Sequence, residues 1–217
     1  MKRLVVAIDG PAGAGKSTVA QLAAKKLGYT YIDTGAMYRA VAWKVLQQQE
    51  VTDERILEVI RDIDVDLHYA KGKTTVTVDG EDVSAAIRTP EVSAVVSRVA
   101  ALGPVRTKMV DLQRKMAKRG AVLMDGRDIA TNVLPHADVK IFLTASIEER
   151  ARRRWKEMKE KGYDIALETL KKDIAARDKA DSEREISPLV QADDAVLLDT
   201  TGLSIDEVVA RILNLCQ

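Results

Sequence analysis

Eight consecutive residues carry the clearest chemical signal in the chain. Gly10-Pro11-Ala12-Gly13-Ala14-Gly15-Lys16-Ser17 fits the pattern G-x-x-x-x-G-K-[ST], which is suited to holding a nucleotide polyphosphate. Such an anion needs several backbone N–H groups turned toward it at once, and glycines allow the φ angles and the close approach this demands. A helix opening at Ser17 adds its positive dipole end. Lys16 can bridge the transferring phosphate and its neighbour, and the Ser17 hydroxyl is the expected ligand of Mg²⁺. Asp125 ends an apolar run, Ala121 to Met124, where it could hold the same ion through water; it could equally be a strand-end carboxylate that starts a turn. A chance match is disfavoured because a buried strand precedes the motif and a helix follows it.

Three further clusters bear on what receives the phosphate. Tyr31 to Arg39 reads YIDTGAMYR, Asp125 to Asp128 reads DGRD, and Arg177 to Arg184 reads RDKADSER. Taken singly, such arginines are most often solvated charges, and Asp128 and Asp181 could be ordinary salt-bridge partners. Together with the phosphate loop, however, the three motifs resemble those of bacterial cytidylate kinases. The resemblance runs over nearly the whole chain, including an insertion that shorter adenylate-type relatives lack.

That resemblance implies phosphoryl transfer from ATP, with Mg²⁺, to CMP and dCMP. It implies that Gly10 to Thr18 bind ATP, that Thr34, Tyr38 and Arg39 form the monophosphate pocket, and that Arg127 makes a second phosphate contact. It matches Ser97, Arg106 and Asp128 to the cytosine-reading groups, and Arg177, Asp181 and Arg184 to contacts with the ribose and nearby phosphates. Thr34 stands where some relatives have Ser, which keeps the hydroxyl. Ser17 stands where many have Gly and Thr18 supplies the hydroxyl, so which of the two takes the metal stays open. The base assignment has its own chemistry. Cytosine offers an amino donor to a carboxylate such as Asp128, and ring acceptors to an arginine such as Arg106. Uracil would face Asp128 oxygen to oxygen.

A fourth cluster, Glu149 to Lys156, packs Arg150, Arg152, Arg153, Arg154 and Lys156 into two helical turns. Like charges at this spacing repel and favour a nearby anion. The resemblance makes this segment a lid, with Arg150 and Arg154 expected at the transferring phosphoryl group beside the catalytic Lys16 and Arg127. A solvated basic face balanced by neighbouring glutamates is the plainer alternative. Asp33 could orient Arg39 or hydrated Mg²⁺, or equally be a plain strand-end cap.

These residues need a scaffold. Leu4 to Ile8 is a continuous apolar run, as expected of a buried strand. Further strands are expected at Tyr29 to Ile32, Ala121 to Met124, Val139 to Thr144 and Ala195 to Leu198, with helical periodicity between them. The alternation predicts an α/β fold: a five-stranded parallel sheet with helices on both faces and ligands at the carboxyl ends of the strands. A helix from Ala36 to about Gln49 is expected. Val65 to Tyr69 and Thr74 to Val78 flank Lys71-Gly72-Lys73 as a hairpin, which is out of place in a parallel core. Residues 34–100 are therefore read as an inserted subdomain for the nucleoside monophosphate. Residues 150–163 are the lid, and 1–33, 101–149 and 164–217 the ATP-binding core. Ser146-Ile147-Glu148-Glu149 and Ser204-Ile205-Asp206-Glu207 read as capping boxes.

The bulk properties narrow the class. The 217 residues are 46 % hydrophobic and 31 % charged, which is a globular balance rather than a disordered one. A net charge of +1 gives no basic excess for a nucleic-acid polymer. One cysteine and two histidines make neither a disulfide nor a zinc site. Asp9 ends the first apolar run too early for a signal peptide or a membrane span, so a soluble, cytoplasmic monomer is expected. Other acceptors, such as UMP or a shikimate-like alcohol, stay open, as does a module that uses ATP only as a switch.

Overall fold

The structure is a computed structural model, and it describes residues 3–48 and 50–217. Met1, Lys2 and Gln49 lie outside the described residues; the helix expected to run to about Gln49 ends earlier, at Leu46. Five parallel strands form the central sheet: β1 (Val5–Asp9), β2 (Thr30–Asp33), β6 (Val122–Asp125), β7 (Val139–Thr144) and β8 (Val196–Asp199). Their order is β2-β6-β1-β7-β8, so β1 lies in the middle. The α/β architecture read from the sequence is the one observed.

Side chains alternate across each strand, as a pleated backbone requires. From β1, Val6 and Ile8 face α1 (Lys16–Leu27) and α8 (Ile205–Leu215), packing with Ala20, Ala23, Val208 and Ile212. Ala7 faces the other way, toward Val110 and Ala117 of α5 (Gly103–Ala117) and toward Met124 and Ile129. Among the described residues no helix is long and apolar enough to cross a membrane.

Residues 34–100 pack around a second hydrophobic cluster. It is built on α2 (Thr34–Leu46), α3 (Asp53–Asp62), the antiparallel strands β3 (Val65–Ala70), β4 (Lys73–Val78) and β5 (Glu81–Asp82), and α4 (Pro90–Ala101). Met37, Val41, Ile56, Val76, Ile87 and Val96 pack there with Val105 and Met109 of α5. The hairpin turns at Lys71 and Gly72, both with positive φ, as a tight two-residue turn prefers. Its tip rests on α1: Gln21 Nε2 donates to the Gly72 carbonyl at 3.0 Å. Tyr69 meets the Tyr31 ring edge-on, with centroids 6.0 Å apart.

Some local expectations change. Helix α2 starts two residues early, at Thr34, because Asp33 caps it by accepting from Ala36 N at 2.9 Å. The box at Ser204 is complete in both directions. The one at Ser146 is half-formed. Ser146 Oγ accepts from Glu149 N, but Ser146 N donates to Thr201 Oγ1, while Glu149 pairs with Arg153. The segment expected to form a lid begins within α6 (Ile147–Glu160), which is followed by α7 (Leu167–Glu183).

Candidate active site

The motif Gly10 to Ser17 links the carboxyl end of β1 to the start of α1. Gly10 has φ 146°, and a Cβ there would fall 1.9 Å from the Leu143 carbonyl oxygen, so only glycine lets the loop leave between β1 and β7. Lys16 is buried and points back into the loop, donating to Pro11 O at 2.8 Å. Burial, with Arg127 and Arg177 close by, pulls its ammonium well below the usual lysine range.

Ser17 Oγ donates to Asp125 Oδ2 at 3.1 Å, and Tyr31 Oη donates to Oδ1 at 2.8 Å. Thr18, the other hydroxyl considered for the metal, is exposed. Burial and the nearby Asp33 raise Asp125 to about 6. A buried carboxylate held this high favours a cation, and a hydroxyl beside it is a hard oxygen donor, so the pair fits Mg²⁺. Among the described residues no group of three or more His, Cys, Asp or Glu side chains could hold a metal ion. That suits an ion that takes much of its shell from water and substrate phosphates.

The turn after β6 carries Gly126, Arg127 and Asp128. Gly126 is obligatory there, since a Cβ would lie 2.6 Å from Thr34 Oγ1 and 2.7 Å from Ile129 Cδ1. Thr34 Oγ1 donates to Asp125 O at 2.7 Å, which joins β2 to β6 at their tips. Asp9, at the end of β1, accepts from Ile129 N (2.9 Å) and Ala130 N (2.8 Å). These amides open a π-helical turn, Ile129–Val133, directly after Asp128. Burial raises Asp9 to about 6 against those two hydrogen bonds.

Asp128 is buried at the meeting point of three elements. Arg106 from α5 pairs with its Oδ2, as does Asn132 Nδ2 at 3.0 Å. Arg184 Nη2, after α7, stands 3.5 Å from Oδ1. The Tyr38 ring lies 5.8 Å from the Arg106 guanidinium carbon, and burial pushes its hydroxyl up to about 12. Ser97 is half-buried on α4, three residues before the Ala100 carbonyl that accepts from Arg106 Nη1 at 3.2 Å.

Between Asp128 and the phosphate loop stands a group of cations. Arg127 Nε donates to Asp181 Oδ2 at 2.9 Å. Burial, then Arg127 and Arg39, lower Arg177 to about 9. Burial also lowers Arg39, with Arg88, Arg127 and Arg154 repelling it. Burial pushes Asp181 up, but Arg127 and Arg177 outweigh it and its carboxyl stays low. Lys16, Arg39, Arg127, Arg154 and Arg177 thus gather around few carboxylates. Such an assembly is costly unless a polyanion neutralises it.

Arg150, expected at the transferring phosphoryl group, is held here by fixed protein partners. It is buried, with Nε on Ala145 O at 3.0 Å, Nη1 on Ala12 O at 2.9 Å, and an ion pair to Asp178 at 2.6 Å. Its place one turn into α6 brings it against the loop backbone, where each donor finds a fixed acceptor. Arg154 pairs with Glu157 at 2.9 Å and faces the cation group. Asp33 both caps α2 and pairs with Arg88 at 2.8 Å. Sequence reasoning gave no role to Asp9, Tyr31, Asp178 or Thr200. Tyr31 and Asp178 do stand inside the motifs, and Asp9 directly precedes the loop.

A family model described as cytidylate kinase matches residues 6–217. A protein named cytidylate kinase from Bacillus cereus (strain ATCC 10987 / NRS 248) is 54% identical over 216 residues, covering 99% of this chain and 96% of the relative. One of the same name from Bacillus thuringiensis (strain Al Hakam) aligns with the same identity and coverage. Among solved structures, an uncharacterized protein from Eubacterium ventriosum ATCC 27560 superposes with a TM-score of 0.54 at 12% identity, covering 98% of this chain and 97% of its own. That likeness concerns the fold alone.

Proposed function

The chain belongs to the cytidylate kinase family, and we propose that it transfers the γ-phosphoryl group of MgATP to CMP and to dCMP. It is a nucleoside monophosphate kinase, and the products would be ADP with CDP or dCDP. The observation that carries the choice of acceptor is the buried Asp128, held between Arg106 and Arg184 beside the cation group. A carboxylate so placed accepts from an exocyclic amine, and the arginines donate to ring acceptors.

In the reaction an acceptor phosphate oxygen attacks the γ-phosphorus, and the bond to the β,γ-bridging oxygen breaks as ADP leaves. No covalent enzyme intermediate is needed. The loop amides and Lys16 hold the donor phosphates. Thr34, Tyr38, Arg39 and Arg127 hold the acceptor phosphate, while Arg177, Asp181 and Arg184 line the ribose side. Arg154 closes on the transferring group from the 150–163 lid, and residues 34–100 carry the acceptor. Positioning and masking of negative charge supply the catalysis. Mg²⁺, bound with ATP, would be held by the Ser17 hydroxyl and through water by Asp125, and would neutralise charge on the β- and γ-phosphates. We take the working species to be a cytoplasmic monomer, and sedimentation at twice the mass of the 23.8 kDa chain would contradict this.

An acceptor panel in a coupled ADP-release assay tests the reading. CMP and dCMP should accelerate ADP release, with UMP lower in kcat/KM by roughly a hundredfold because a buried carboxylate would be left unpaired. Asp128→Ala should impair CMP use far more than ATP binding. ADP release that ignores every acceptor would point to an ATP-driven switch instead, and equal use of UMP would remove the base-reading role.

A further inference from the structure

The phosphate loop is gripped through its backbone by the two helices that follow β7. The Ala12 N–H donates to Asp178 Oδ1 at 3.3 Å, and the Ala12 carbonyl accepts from Arg150 Nη1 at 2.9 Å. The two gripping side chains are themselves paired at 2.6 Å. Two residues on, Ala14 O accepts from Arg153 Nη1 at 3.3 Å, and Thr200 fixes that guanidinium with contacts of 3.0 and 2.8 Å. Gly13 makes the approach possible. A Cβ there would stand 3.3 Å from Arg150 Cβ and 3.6 Å from Ile174 Cδ1.

Peptide planarity gives these contacts a consequence. In a trans unit the C=O and the following N–H point in opposite directions. Tying the Ala12 carbonyl to Arg150 therefore turns the Gly13 N–H away from α6. Tying the Ala14 carbonyl to Arg153 does the same for the Gly15 N–H. The unit between Pro11 and Ala12 obeys the same rule, with Lys16 on its carbonyl and Asp178 on its N–H. Inward-turned amides are what a phosphate nest requires.

We propose that Asp178 and Arg150, assisted by Arg153, are positioning residues that aim the Gly13 and Gly15 amides at the phosphates of ATP. This deepens the kinase reading and rests on the loop being its ATP site. Fixing the amides beforehand removes an ordering cost from binding. The pair has to act as a unit. Without Arg150, the Asp178 carboxylate would stand unneutralised beside an incoming polyanion, a worse arrangement than losing both.

Calorimetric titration of the full chain with MgATP, and separately with CMP, tests this. Asp178→Ala should raise the Kd for MgATP roughly tenfold, the scale of a charge-assisted hydrogen bond, and leave CMP affinity essentially unchanged. Asp178→Asn, near-isosteric and still an acceptor for the Ala12 N–H, should lose less. The decisive measurement is the double variant Arg150→Ala/Asp178→Ala, which should bind MgATP more tightly than Arg150→Ala alone. Unchanged MgATP affinity in Asp178→Ala, parallel weakening of both ligands, or strictly additive losses in the double variant would overturn the clamp. Parent protein that failed to bind MgATP would sink the kinase reading instead, so the two failures are distinct.

Discussion

A lysine ammonium buried to 5 % exposure beside Arg127 and Arg177 would be driven to shed its proton unless something anionic shared the space. On the proposed kinase reading, Lys16 would therefore mark the position of the donor phosphates. Lys16→Ala should lower kcat by about three orders of magnitude, on the order of 4 kcal/mol of transition-state stabilisation; steady-state turnover within tenfold of the parent would exclude this role. That Lys16, Ser17, Arg39, Arg127 and Asp128 follow strands of one sheet was legible from the sequence, because the motifs that carry them adjoin apolar runs. Asp9, Asp178 and Thr200 were not. They act on backbone groups such as Ile129 N, Ala12 N and the Thr144 carbonyl, and a main-chain partner leaves no mark in a pattern of side chains. For the same reason charge alone did not reveal that Arg150 braces the loop backbone at Ala12 O.

Strands and helices followed their periodicities closely, since β1, β6 and β7 are apolar runs and the caps at Thr89 and Ser204 have strong local chemistry. The order of strands was not legible, because it depends on which faces meet. Neither was the π-helical turn at Ile129–Val133, which exists because Asp9 captures its first two amides. The turn between β6 and that element leaves no room for a side chain. Gly126→Ala would drive a methyl group into Thr34 Oγ1 and Ile129. The variant should lose about 1–3 kcal/mol of stability by overpacking, seen as a lower urea midpoint with unchanged slope. A midpoint equal to that of the parent would show that the β2–β6 junction has slack.

Stability of the whole molecule should carry the signature of its buried carboxylates. Burial lets Asp9 keep its proton up to about 6 when folded, against an ordinary carboxyl value of 3.8. Below pH 4 both states are protonated, and above 6 both are ionised. In between only the unfolded chain has released the proton, so the native state binds more protons and stability falls as pH rises. The loss reaches roughly 3 kcal/mol at most. Denaturant titrations from pH 4 to pH 7 should therefore find Asp9→Asn gaining on the parent as pH rises, whatever their constant offset. Parallel curves would refute the shift. The sheet itself bears on transfer. The donor loop leaves β1, the Arg127-Asp128 turn leaves β6, and Thr34 and Arg39 follow β2, in adjacent positions of one sheet. Neighbouring strands lie about 4.8 Å apart. On the proposed assignment of these residues, inter-strand hydrogen bonding would gauge the gap the phosphorus crosses, a ruler laid down at folding before either nucleotide arrives.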